Sequence, residues 1–216
     1  MKVPKTDIIE IDMVSDPVCP WCWVGLRNLM WAMNDNPKQQ FSITFRPFFL
    51  DGKLPEEGVE YHAYMDKKFP DKNQRKAAIK SLEEAGNKVG IDFQFSKIKH
   101  RPHTGKAHRL IMWAQGQNKG LLAKEFLFKS FFTDGKDIGD EDVLIGIASA
   151  IGMDGDLVAK LLKEGQDKQH VEDEVRSFAG MGISAVPTFI VDQKSGISGA
   201  LPPKDMSAFI MQNKNN

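Results

Sequence analysis

Hydrophobic and polar residues alternate near the start of the chain. Ile9, Ile11 and Met13 are interleaved with Glu10 and Asp12. A period of two predicts a strand over about residues 7–14. Ser15-Asp16-Pro17 ends it. Pro20 suits a first helical position, where its missing N–H costs nothing. Cys22, Leu26, Leu29, Met30 and Met33 then follow helical spacing, stopped by Asn34-Asp35-Asn36-Pro37. Phe41, Ile43 and Phe45 alternate with Ser42 and Thr44 as a second strand. Strand, helix and strand in that order form the crossover unit of a parallel pair.

After Pro47 the period changes. From about residue 55 to 182 helical stripes dominate. Ala78, Leu82, Ala85 and Val89 form one, ended by Gly90. Thr104 is a candidate N-cap before Ala107, Leu110, Ile111 and Ala114. Leu122, Phe126 and Phe131 predict another helix. Asp140 caps the run through Leu144, Ile147, Ala148 and Ile151, with Gly152 as its stop. Asp154 caps Leu157, Val158, Leu161 and Leu162, and Val171, Val175, Phe178 and Ala179 make a last stripe. Strand character returns at Thr188-Phe189-Ile190-Val191. Asp192 to Gly196 reads as a hairpin turn, and Ile197 to Ala200 as its partner. Pro202-Pro203 opens a terminal helix with Met206, Phe209 and Ile210 on one face, and Asn213 to Asn216 are expected to fray. The order is β–α–β, a long helical insertion, then β–β–α.

Composition narrows the partners. The 216 residues are 41% hydrophobic, enough for one substantial core. Lys+Arg and Asp+Glu both count 29, so no net field steers a polyanion, and nucleic acid is not an expected partner. No apolar run approaches the roughly 20 residues of a spanning helix, so no membrane partner is expected. Lys2 and Lys5 are followed by Ile8, Ile9 and Ile11, broken by Glu10 and Asp12. That is a strand pattern, not the apolar stretch of a secretory signal, and a reducing, cytoplasmic setting is expected. The oligomeric state is not legible.

The chain has two cysteines, in Cys19-Pro20-Trp21-Cys22, where a strand hands over to a helix. Paired cysteines in a reducing compartment are more often catalytic, redox-sensing or metal-binding than structural. A helix N-terminus supplies free N–H groups and a positive dipole end, which favour a thiolate at Cys19. Cys19 would attack a disulfide, and Cys22, one turn deeper, would resolve the mixed disulfide. Two bland readings compete. The pair could be half of a zinc site completed from His100, His103 and His108, or it could be inert packing. Pro20 at the helix start, after an alternating strand, counts against both. Taken alone, Pro187 reads as a trans proline opening a strand.

With Cys19-Pro20-Trp21-Cys22 at the first strand–helix junction and Val186-Pro187-Thr188-Phe189 at a late strand, the chain resembles the DsbA-type branch of the thioredoxin superfamily. Within it the chain is similar to FrnE-like proteins, relatives of 2-hydroxychromene-2-carboxylate isomerases. Ser15-Asp16-Pro17-Val18, Thr104 with Ala107-His108-Arg109-Leu110, Phe132 to Asp140, and Ser198-Gly199-Ala200 carry that likeness. The resemblance implies an α/β thioredoxin fold with a large all-helical insertion. The thioredoxin-like part would be residues 1–52 and 183–216, and the insertion residues 53–182. It implies that Pro187 is cis beside the cysteines, excluding metal, and that Val186 offers its backbone to an extended substrate, with Trp21 beside it. Catalytic Cys19 and Cys22, supporting Pro20 and substrate-binding Trp21, Val186 and Pro187 are the implied site.

Two departures matter. Periplasmic DsbA has a histidine between its cysteines, where this chain has Trp21. The buried carboxylate of thioredoxin-like proteins has only Asp12 as a candidate near the expected place, and Asp12 reads better as the polar member of a strand. Arg46 and Arg109 read as solvated, and the histidines of His100-Arg101-Pro102-His103 and His108 as surface or rim residues, though they could line a glutathione pocket. Trp21 is the expected exposed aromatic, with Trp23, Phe48 and Phe49 in the core. The expected activity is thiol–disulfide exchange with protein or small-molecule disulfides. No cofactor is required, and glutathione is a candidate redox partner. The rivals are a glutathione-dependent isomerase or transferase, and a redox-sensing, chaperone-like binding protein.

Overall fold

A computed structural model describes residues 8–214. Lys2, Lys5, Asn215 and Asn216 therefore lie outside the described residues. The first unit is β1 (Ile8–Ser15), α1 (Pro20–Asn34) and β2 (Gln40–Pro47). In β1, Ile9, Ile11 and Met13 are buried while Ile8 and Glu10 are exposed, as a half-buried strand requires. β1 and β2 run parallel, with Ile8 opposite Gln40 and Ser15 opposite Pro47.

The insertion follows. It holds β3 (Val59–Glu60), α2 (Tyr61–Lys68), α3 (Lys72–Lys88), β4 (His100–Arg101), α4 (Gly105–Gln115), α5 (Gly120–Phe132), α6 (Glu141–Ala150), α7 (Gly155–Lys163) and α8 (Lys168–Gly180). It is helical apart from the short antiparallel ribbon of β3 and β4. The chain closes with β5 (Thr188–Val191), β6 (Ser195–Ser198) and α9 (Pro203–Asn213). The main sheet has the order β2-β1-β5-β6, with β5 antiparallel to both its neighbours. This is a thioredoxin sheet with a helical insertion between its halves. β2 is an edge strand, and the Gln115 side chain covers part of that edge by bonding both Phe45 N–H (2.6 Å) and Phe45 C=O (3.1 Å).

Several expectations need correction. Thr104 stands at the N-cap of α4, but its side chain makes no capping bond. His103 Nδ1 accepts the Gly105 N–H instead, at 3.2 Å. Leu122 and Phe126 are exposed, and α5 buries Ala123, Leu127, Phe128 and Phe131. Successive helical residues point about 100° apart, so a stripe read one residue out of phase points outward. Arg109 is buried, not solvated, and donates to the Gln166 and Leu161 carbonyls at 2.6 Å each. It binds α4 to the end of α7. His108 is also buried, whereas His100 and His103 are partly exposed. Phe48 and Phe49 are only half-buried.

α1 packs against α9, and Asn28 Nδ2 donates to the Leu201 carbonyl at 2.8 Å. The fit beneath α1 is close. A Cβ on Gly25 would meet Pro187 Cγ at 2.9 Å and Phe189 Cζ at 3.2 Å. Gly25→Ala is therefore expected to cost roughly 1–3 kcal/mol through overpacking. Urea unfolding checks this, and an unchanged midpoint would show that the Pro187 loop yields freely.

Candidate active site

The site forms where three segments meet. Val14 pairs with Thr188, so β5 begins beside the end of β1 and Pro187 lies next to the turn leading into α1. The Val186–Pro187 bond is cis. Cys19 is the N-cap residue of α1 in extended conformation, and Pro20 takes the first helical turn. Cys19 N–H donates to the Asp16 carbonyl and Cys22 N–H to the Cys19 carbonyl, both at 3.0 Å. Cys19 Sγ lies 3.8 Å from the Val186 carbonyl oxygen. The structure thus brings Cys19, Pro20, Cys22, Val186 and Pro187 together. Trp21 is 39% exposed beside them, while Trp23 is buried.

The two thiols are not equivalent. Cys19 is 4% exposed and Cys22 fully buried. The hydrogen bond from Cys22 lowers the Cys19 thiol below its ordinary value against the cost of burial, and the charge of Arg101 helps. Burial pushes Cys22 well above its ordinary value, and the neighbouring Cys19 pushes the same way. A low outer thiol and a high inner thiol are what sequential attack and resolution need. Replacing Cys22 by alanine removes the hydrogen bond, so the pH midpoint of Cys19 alkylation should rise. A midpoint that stays put would place the cause elsewhere.

Of the charged groups beneath and beside the pair, Lys124 was not picked out from the sequence, Asp16 entered only within a motif, and Arg101 and His108 were read as rim residues that could line a glutathione pocket. Asp16 is fully buried in the turn before Cys19. Its carboxylate accepts from Leu50 N–H (2.7 Å) and Val18 N–H (3.3 Å), with His108 Nε2 3.8 Å away. Burial works to raise the Asp16 carboxyl, but His108, Arg101 and the Leu50 N–H outweigh it and hold it below its ordinary value. Asp16, not Asp12, is the buried carboxylate. Asp12 pairs with Arg46 at 2.6 Å, and Arg46 also binds Glu174 at 2.8 Å. Arg101, from β4, donates to the Val18 carbonyl at 2.9 Å and forks onto Asp51. It fixes the backbone just before Cys19.

His108 Nε2 reaches the Phe48 carbonyl at 3.1 Å. Burial lowers its pKa below 6.5 although Asp16 acts to raise it. The unfolded chain then takes up the proton first, so stability should fall as pH drops through about 6.5. His108→Gln should flatten that dependence in urea titrations at pH 7 and pH 5.5, and an equal slope would contradict it.

Lys124, on α5, is fully buried. Its spacing with Leu127, Phe128 and Phe131 on the apolar face was the available signal. Asp16 had a signal too, since it directly precedes Pro17-Val18-Cys19.

Cys19 opens onto a cleft of about 370 Å³ between α1 and helices α2 and α3. Trp21, Tyr64, Ile79, Leu82, Phe95 and Val186 line it, and most of its wall is apolar. Among the described residues no cluster of three His, Cys, Asp or Glu side chains could hold a metal ion. None of the described helices is long and apolar enough to cross a membrane.

Comparison with known proteins decides the family. The DSBA-like thioredoxin domain matches residues 10–210. The chain belongs to the DSBA-like thioredoxin domain family. YwbO of Bacillus subtilis is similar, 28% identical over 185 residues that cover 85% of this chain and 86% of that protein. Among solved structures, the probable DsbA oxidoreductase SCO1869 of Streptomyces coelicolor is similar in fold. It has a TM-score of 0.87 at 22% identity, over 94% of this chain and 89% of that one. The cytosolic disulfide reductase DsbM of Pseudomonas aeruginosa, solved with GSH, gives a TM-score of 0.66 at 15% identity, over 94% and 98%. The likeness in fold to these solved structures therefore extends over nearly the whole chain.

Proposed function

We propose that this DSBA-like protein is a thiol–disulfide oxidoreductase in which Cys19 exchanges with substrate disulfides and Cys22 resolves the intermediate. The observation that carries this reading is the asymmetric thiol pair at the start of α1, with the lowered thiol facing the cleft. Cys19 as thiolate attacks one sulfur of a substrate disulfide and expels the other as a thiolate. Cys22 then loses its proton and attacks Cys19 Sγ, releasing the second substrate thiol. Two electrons pass from the dithiol to the substrate.

The apolar cleft suits the non-polar flank of a peptide or small-molecule disulfide, with Trp21 and Val186 at its edge. Glutathione fits as a redox partner because the exchange needs only a thiol, and no further cofactor enters any step. A reducing compartment fits a chain whose only two cysteines are the reacting pair.

Trapping tests the reading. Cys22→Ala treated with oxidised glutathione should accumulate one glutathione on Cys19, visible by mass spectrometry. An adduct that fails to form while Cys19 still alkylates would remove the exchange mechanism.

A further inference from the structure

A second pocket, of about 100 Å³, shares no lining residue with the cleft beside Cys19. It forms where the turn into α4 meets the start of α8, and the Phe49 ring is one wall. His103, Gly105, Lys106 and Arg109 line it from the α4 side, and Glu56, Lys168 and Glu172 complete it. The Phe49 ring meets the His103 ring edge-on at 4.9 Å.

Donors without acceptors collect here. Arg109 is 3% exposed. Its Nε and Nη2 are occupied by the carbonyls of Gln166, Leu161 and Leu162, at 2.6, 2.6 and 3.3 Å. Its plane is backed by the Trp113 ring at 5.2 Å. Nη1 makes no hydrogen bond among the described residues, and it is the nitrogen left for the pocket. Helix α4 begins without a side-chain cap, and the Lys106 N–H meets no acceptor among the described residues. His103 Nδ1 accepts the Gly105 N–H, so the ring proton sits on Nε2, which likewise has no acceptor there. A Cβ on Gly105 would meet His103 Nδ1 at 3.1 Å and Cε1 at 3.2 Å, so glycine gives the ring its place against the helix start. The other charges are already matched. Lys168 pairs with Glu56, Lys106 with Glu141 at 2.6 Å, and Glu172 lies 3.9 Å from Arg176.

We propose that this pocket binds the oxyanion head of a phosphate, free or as a phosphate monoester. A guanidinium matches phosphate oxygens in geometry and charge, and the first turn of a helix adds free N–H groups and the positive end of its dipole. The second charge of phosphate favours it over a carboxylate, because Arg109 brings a full charge with no carboxylate partner among the described residues. A volume of about 100 Å³ is room for a few water-sized groups, which is one tetrahedral head and little more. The rest of a monoester lies outside. The dithiol takes no part in this binding, so the site stands or falls apart from the oxidoreductase reading.

The experiment is calorimetric titration of the full chain with sodium phosphate at constant pH and ionic strength, with sodium acetate as control. The wild type should saturate one site with a midpoint below about 10 mM. His103→Glu places a carboxylate in the pocket and leaves the Arg109 anchors in place, and it should weaken phosphate about tenfold or more. Arg109→Lys keeps the charge without the third nitrogen and should weaken phosphate too. If that variant does not fold, His103→Glu decides. Glycerol phosphate is titrated alongside: tighter binding than inorganic phosphate assigns the site to an organic phosphate, and weaker binding assigns it to the free ion. Phosphate that does not saturate, an affinity that His103→Glu moves by less than about twofold, or acetate binding as tightly as phosphate overturns the proposal.

Discussion

Cys19→Ser is expected to abolish disulfide exchange, lowering insulin reduction or refolding of a scrambled protein by roughly three orders of magnitude or more. The argument is chemical. Only a thiolate is nucleophilic and able to form the mixed disulfide, and a serine hydroxyl at a helix start stays protonated at neutral pH. Cys22 cannot substitute, because it is fully buried and its thiol is held well above the ordinary value. Stability should change little, since oxygen replaces sulfur in the same place. The same assay separates the rivals. A glutathione-dependent isomerase or transferase would activate the thiol of glutathione and survive the substitution. A redox sensor would form its disulfide in the wild type without turnover.

The second large effect is structural. Asp16→Ala should destabilise the protein by about 3 kcal/mol, because it strips a buried carboxylate from two N–H groups and from its cationic neighbours. Leu50 N–H and Val18 N–H would lose their acceptor, and His108 the carboxylate 3.8 Å from its ring. Urea unfolding at pH 7 measures the loss. The carboxyl is held below 3.8 in the folded state, so its contribution is complete above about pH 4. It is lost as pH falls through the folded value. Wild type and variant should therefore converge in strong acid, and a constant difference down to pH 2 would show that packing, not charge, is lost. Asp16 also opposes the Cys19 thiolate. Cys19 in the variant should accordingly alkylate at lower pH, provided the turn keeps its shape.

Much of this was legible in the sequence because it is local. Alternation gave β1, Pro20 placed the start of α1, and Asp140 and Asp154 cap α6 and α7 through Val143 N–H and Leu157 N–H. The hairpin between β5 and β6 was expected from its turn residues, and Asp192 and Gln193 stand at positive φ, but β6 starts at Ser195, two residues before the expected Ile197. What was not legible depends on contacts distant along the chain. The surroundings of the pair are built by Arg101 from β4, which acts on Cys19, and Lys124 from α5, which acts on Cys22, both inside the insertion. A lysine in a helix reads as a solvated surface residue until the fold shows which face it occupies. Arg109 and His108 were misread for the same reason: their carbonyl and carboxylate partners lie more than fifty residues away. Asp12 was the nearest carboxylate in an alternating strand, but its side chain turns to Arg46, and the turn residue Asp16 fills the buried place.

The elements from β3 to α8 lie between β2 and β5 along the chain. The β3–β4 ribbon, seen only in the fold, matters more to the chemistry. It sets Arg101 against Val18 and so ties the insertion to the reacting end of α1.

The most direct test of the central claim is a redox titration of the purified protein in glutathione buffers, with Cys19→Ser as control and thiol alkylation as readout. The account predicts a reversible two-electron transition that the control lacks. A midpoint near −270 mV makes the protein a reductase, and one between about −180 and −120 mV an isomerase or oxidant. No transition across the accessible range, with the protein folded, would contradict the account.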